Sequence, residues 1–374
     1  MKRYSISEAE NIRVLGRTTM DSEGLNVFWT GSGIELNATG TELHVEICAG
    51  FEGYEPWIEI LIDGCLSQRR MLERGKHTIC IFRCMEDGPV RNVKILKATQ
   101  AVENDPESFV QIQGLLTDGS FVPLESCSMK LEVIGDSITS GEGMGGSLKE
   151  NTWNASVFSV YRSYPFLLGE MLHADLHILS QSGYGVYCSW CGKTKESLPR
   201  YYTQVCGVLS GKANEEKGAH AAWDFSAWQP DCIVVNLGTN DSGSFDQAGN
   251  VFPDMDWTCP MRVNEDGSMN EEDRQKIRQA VISFLHDLRR YNPSAQIIWC
   301  YGMLGGRMEG TLREAVGMYL EETGDKRVRF QLLPDTREGE FGCRSHPGAP
   351  SHRKAAEVLY QTIRNLRGEE QPSD

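Results

Sequence analysis

The rhythm of apolar residues changes once along this chain, near residue 130, and that change constrains the fold more than any other feature. Before it, apolar residues take every second place. Leu43, Val45 and Ile47 alternate with His44 and Glu46, the pattern of a strand with one face buried. WIEILI at 57–62 runs into Asp63-Gly64, a hairpin-turn pair. Similar runs follow at 77–82 and 91–96, with turn residues at 37–40 and 73–76. No amphipathic helical pattern interrupts them. Short strands with regular turns predict an antiparallel all-β sandwich of jelly-roll type over residues 1–125.

From residue 131 the apolar runs become continuous. Residues 131–134, 176–179, 232–237 and 296–301 read as strands buried on both faces. Helical patterns lie between and after them at 164–172, 271–290 and 352–366. In the second, Ile277, Val281, Phe284, Leu285 and Leu288 are spaced for one helix face. Strands alternating with helices predict an α/β domain with a parallel sheet over residues 126–374. Residues 123–129 read as a linker, and the polar end, 367–374, as disordered. Parallel sheets of this kind bind ligands beyond the carboxyl ends of their strands.

Four segments then carry chemistry: Gly135-Asp136-Ser137, Ser180-Gln181-Ser182-Gly183, Gly238-Thr239-Asn240-Asp241, and His346-Pro347 ahead of the last helix. Ester hydrolysis needs a nucleophile, a base within hydrogen-bond reach, and donors aimed at the developing oxyanion. Ser137 suits the first role and His346 the second. The Ser137 and Gly183 N–H groups and the Asn240 side-chain amide suit the third. Asp136 and Asp241 read as turn braces, and His352 as a helix-start residue. Residues 141–146 match GxGxxG, but no helical pattern opens directly after them, which argues against dinucleotide binding. Cys188 and Cys191 form a CxxC without a second ligand pair, which argues against zinc.

These blocks, in this order, resemble the SGNH/GDSL hydrolase superfamily over about residues 130–366. A closer resemblance spans nearly the whole chain. AWDFSAWQPD at 222–231, HPGAPSHRKAA at 346–356 and WTGSGIELNATG at 29–40 are similar to the two-domain acetyl esterases of carbohydrate esterase family 2. The resemblance implies a jelly roll followed by a flavodoxin-like three-layer SGNH hydrolase domain. It implies attack by Ser137, proton transfer by His346, and an oxyanion hole from Ser137, Gly183 and Asn240. It also implies deacetylation of plant cell-wall oligosaccharides, such as xylan or mannan fragments, without a metal or organic cofactor.

The chain departs from the superfamily at one position. Many members carry an aspartate three residues before the histidine, where Cys343 stands here. A thiol does not replace a carboxylate that orients imidazole. Some family 2 esterases lack the acid and use a backbone carbonyl. The expectation is therefore a Ser137–His346 dyad, with His346 Nδ1–H on a main-chain carbonyl near Ser345. Asp335, Glu338 and Glu340 are the alternative acids.

The formal net charge is -15 with no basic stripe, which excludes nucleic acid and anionic membrane surfaces as partners. A neutral sugar fits such a surface. Trp190, Tyr184 and Trp257 lie near the blocks and are candidate sugar-stacking residues. The first residues lack an apolar signal region and the twelve cysteines are scattered, so the protein reads as reduced and cytoplasmic. Two rival functions are a lipase or thioesterase with a longer acyl substrate, and a non-catalytic carbohydrate-binding protein. Oligomeric state is not legible.

Overall fold

In the computed structural model, residues 1–368 are described. The period-two region forms two six-stranded antiparallel sheets stacked as a sandwich. One runs Thr18–Met20, Leu25–Val27, Phe109–Thr117, Leu43–Gly50, Gly75–Phe82, with Lys2–Ser5 also paired to Phe109–Thr117. The other runs Phe121–Val122, Gly33–Ala38, Arg91–Lys97, Trp57–Ile62, Cys65–Met71, with Ile12–Leu15 paired to Gly33–Ala38. The alternating residues Val45 and Ile47 meet Ile34, Leu36, Ile58, Ile60 and Val93 in the shared core. The jelly-roll sandwich thus arises because the two sheets press their apolar faces together.

The continuous apolar runs form a five-stranded parallel sheet in the order Ala174–Ser180, Met129–Gly135, Cys232–Asn236, Gln296–Gly302, Val328–Leu333. Helices Glu271–Tyr291 and Glu309–Thr323 cover one face, where Ile277, Val281 and Leu312 join Ile233, Val235 and Trp299. Helices Tyr164–Met171 and Ala349–Arg367 cover the other, where Leu168 and Leu359 join Leu131, Val133 and Val234. This is the three-layer flavodoxin-like arrangement, strand order 2-1-3-4-5. Two of these elements go beyond the sequence reading. Glu309–Thr323 mixes its apolar residues with many charged ones, and the edge strand Val328–Leu333 is largely half-buried. The last helix starts at Ala349, earlier than its apolar pattern, with Pro350 in its first turn. It extends to Arg367; the rest of the segment expected to be disordered, from residue 369, lies outside the described residues.

The two halves share an apolar seam of Leu15, Leu61 and Leu96 against Val160, Phe166 and Ile178. A buried ion pair, Arg17–Glu132 at 2.9 Å, crosses it. The chain leaves Met129–Gly135 for the neighbouring strand on one side, and later fills the other side with Cys232–Asn236. The crevice beyond those two strand ends is the topological switch point, where such sheets place ligands.

Candidate active site

Ser137 stands at that switch point because the strand Met129–Gly135 ends in a turn that only glycine permits. A Cβ on Gly135 would lie 2.0 Å from Thr139 Oγ1. Asp136 caps the short helix Ser137–Ser140, its Oδ1 accepting from the Ile138 N–H at 3.1 Å. Ser137 is the first residue of that helix, so its own N–H has no acceptor within it. Asp136 is buried; that burial above all, with the Asp241 and Glu142 carboxylates adding, pushes its carboxyl up to about 7.

His346 reaches the serine through a strained approach. Arg344 and Ser345 both sit at positive φ, 56° and 55°, a region that non-glycine residues seldom occupy. The two left-handed turns bring the Arg344 carbonyl to 2.9 Å from His346 Nδ1 and Nε2 to 3.0 Å from Ser137 Oγ. The carbonyl accepts from Nδ1–H, leaving Nε2 free to accept the serine proton. Cys343, in the place of the missing acid, is buried with its Sγ 3.1 Å from the Gly145 carbonyl. The alternative acids point elsewhere. Asp335 accepts from the Gly305 N–H, Glu340 pairs with Lys354, and Glu338 is exposed.

Beyond the strand Ala174–Ser180 the chain turns at Gly183, at φ 82°. Among the described residues no acceptor takes its N–H. Its neighbours are held from the sandwich: Gln100 Oε1 accepts from the Ser182 N–H at 2.7 Å, and the Tyr184 hydroxyl donates to Glu103. The Asn240 amide donates to the Tyr184 carbonyl at 2.9 Å and approaches Asp136 Oδ2 at 3.4 Å. It thereby links the Gly183 turn to the Ser137 turn. Asp241 is buried and accepts from the N–H groups of Val186, Tyr187 and Cys188 at 2.8–3.0 Å. Gly185 serves that clamp, since a Cβ there would lie 2.2 Å from Asp241 Oδ2.

The aromatic candidates divide. Trp190 is 40% exposed, stands beside Gly183 and packs edge-to-face on Phe252 at 5.4 Å. Tyr184 is not a sugar-facing residue. It is 4% exposed and lies in the main apolar core, because its hydroxyl reaches inward to Glu103. Trp257 is half-buried, and its indole N–H donates to the Cys191 carbonyl at 2.9 Å, which ties a short hairpin to the Trp190 loop. His352 is buried and accepts from the Tyr164 N–H at 3.0 Å, and burial pushes its imidazole down to about 3. It is a neutral structural acceptor. Sequence reasoning missed Glu142. This buried carboxylate lies 2.7 Å from Arg344 Nε, 2.7 Å from Ser182 Oγ and 3.9 Å from His346 Nε2. An acid between two glycines was the only signal for it.

A parallel sheet of this order, with a serine hydrogen-bonded to a histidine at its switch point, defines a serine-dependent carboxylic ester hydrolase of the SGNH type. The chain belongs to the GDSL-like lipase/acylhydrolase family, whose model matches residues 133–327, over half of its length. Within that family it is a carbohydrate esterase of family 2. The structure of an acetyl xylan esterase, Est2A, from the rumen bacterium Butyrivibrio proteoclasticus is similar over 99% of both chains, with 41% identity and a TM-score of 0.95. The cellulase/esterase CelE of Acetivibrio thermocellus is 28% identical over 93% of this chain, which spans only 38% of CelE. An acetylxylan esterase/glucomannan deacetylase of Cellvibrio japonicus is 25% identical over 95% of this chain and 89% of its own length.

Proposed function

We propose that this chain is a carbohydrate O-acetyl esterase acting on acetylated plant cell-wall oligosaccharides, xylan or mannan fragments, through a Ser137–His346 dyad and an acyl-enzyme. The observation that carries the mechanism is the 3.0 Å contact of Ser137 Oγ with His346 Nε2, backed by the 2.9 Å bond of Nδ1 to the Arg344 carbonyl. Ser137 attacks the acetyl carbonyl while Nε2 takes its proton. The oxyanion is held by the N–H groups of Ser137 and Gly183 and by the Asn240 amide, which turns from the Tyr184 carbonyl as substrate enters. His346 then protonates the departing sugar hydroxyl. Water, activated by the same nitrogen, releases acetate. No step calls for a metal or organic cofactor.

The exposed Trp190 indole beside Gly183 supports a sugar ring stacked next to the oxyanion hole. The relatives' activity toward acetylated xylan and glucomannan supports the substrate class. All twelve cysteines are free, which supports a cytoplasmic enzyme. NMR of acetylated xylo- and manno-oligosaccharides during incubation reads substrate and position together, since each acetyl group has its own signal. Ser137→Ala is expected to abolish acetate release with unfolding unchanged. Wild-type turnover in that variant refutes the nucleophile, and intact acetyl groups with the wild-type protein refute the substrate class.

A further inference from the structure

We propose that Glu142 is the carboxylate that serves this histidine in place of the missing acid. It fixes the strained turn whose carbonyl orients His346, and it faces the charge that forms on the imidazole when Ser137 gives up its proton. This rests on the Ser137–His346 reading. Glu142 is a positioning residue: it acts through His346 and Arg344, not on the substrate.

The contacts divide its two oxygens between two tasks. Oε1 takes the Arg344 guanidinium at 2.7 Å. Arg344 is one of the two consecutive left-handed residues, φ 56°, and its carbonyl receives His346 Nδ1–H. A non-glycine residue stays in that region only when its surroundings hold it there. The bond to Glu142 and a second, from Arg344 Nη1 to the Asn151 carbonyl at 2.6 Å, supply that hold. Oε2 takes the Ser182 hydroxyl at 2.7 Å and stands 3.9 Å from His346 Nε2. Once Nε2 carries the serine proton, it faces an oxygen that no cation contacts directly.

A carboxylate this near favours the charged imidazole. A triad acid does so from the Nδ1 side; here Nδ1 belongs to the Arg344 carbonyl, and the charge comes from the Nε2 side. Glu142 also accepts nothing less than a structural duty for the site as a whole. Its N–H donates to the Ser137 carbonyl at 3.0 Å and its carboxylate holds Ser182, next to Gly183. The serine, histidine and glycine turns therefore meet on one residue. Among the described residues, other charged or titratable groups on the elements packed around the imidazole are Arg344 and the buried Cys343 thiol on its own loop, His352 on the last helix, buried and neutral, and Asp136 on the nucleophile turn.

The test is the pH dependence of kcat/KM on p-nitrophenyl acetate, whose acid limb reports the catalytic base of the free enzyme. Glu142→Gln keeps the shape and removes the charge. Its acid limb is expected to move down by about 1 unit, the low end for a charge partner within 4–6 Å because Arg344 shares it. Its kcat is expected to fall at least tenfold. Arg344→Gln removes the shared cation and is expected to move the limb upward. A merely structural role for Glu142 would lower kcat and leave the limb in place, so an unmoved limb in Glu142→Gln overturns the proposal. Should that variant not fold, Arg344→Gln decides by itself: an upward shift supports the proposal and no shift overturns it. Turnover in Ser137→Ala would instead refute the dyad.

Discussion

Gly143 is the position where a single methyl group tests the geometry of the site. The residue sits at φ 88°, and a Cβ placed on it would lie 2.6 Å from His346 Cβ and 2.9 Å from the Cys343 carbonyl oxygen. Carbon atoms rest no closer than about 3.5 Å. The methyl of Gly143→Ala therefore pushes the histidine segment by about 1 Å. A displacement of that size at a catalytic group costs about 10²-fold in rate. The left-handed backbone costs an alanine about 1–2 kcal/mol, and the overpacking adds about 1–3 kcal/mol. Gly146→Ala is the control. Its φ of 76° imposes similar backbone strain, but the nearest atoms to its Cβ are at 3.6 Å. The measurements are kcat on p-nitrophenyl acetate and urea unfolding of both variants. Gly143→Ala is expected to lose about a hundredfold in kcat while Gly146→Ala stays near wild type. If Gly143→Ala holds kcat within threefold, the imidazole does not depend on this close approach and the reasoning fails.

Two further predictions follow from the surroundings of Gly183. Gln100→Ala removes the acceptor of the half-buried Ser182 N–H, and an unpaired donor costs up to about 1–3 kcal/mol when fully buried; kcat on a small aryl acetate should fall several-fold to about tenfold with little change in KM, whereas kcat within twofold of wild type would mean that the sandwich does not position this turn. Trp190→Ala removes the exposed ring beside Gly183; kcat/KM should fall about tenfold more for acetylated oligosaccharides than for p-nitrophenyl acetate, a stacked ring contributing ~1–2 kcal/mol, and equal losses on both substrates would remove Trp190 from the sugar site.

Much of the architecture was legible because burial writes directly into the order of residues. A strand buried on one face must alternate, as 43–47 do, and a strand buried on both must not, as 232–236 do not. Boundaries were less legible. The last helix begins at Ala349 because Pro350 suits a first turn, although its apolar pattern starts later. The edge strand Val328–Leu333 escaped notice because an edge position leaves only two of its six residues buried.

Within the site, residue chemistry and order along the chain nominated Ser137, Gly183, Asn240 and His346, and predicted a main-chain carbonyl behind the histidine once Cys343 stood where an acid was wanted; the fold sets Ser137 against His346 and that histidine against the Arg344 carbonyl. Direction was another matter. Nothing in the order of residues turns Tyr184 inward to Glu103 while leaving Trp190 outward. Nor does it bring Gln100, from the sandwich, to the Ser182 N–H, or set Glu142 between Arg344 and His346. Period and composition record how deeply a residue is buried, which is local to its strand or helix. Which distant group it meets there depends on how the sheet and the sandwich pack, and that pairing exists only in the folded chain.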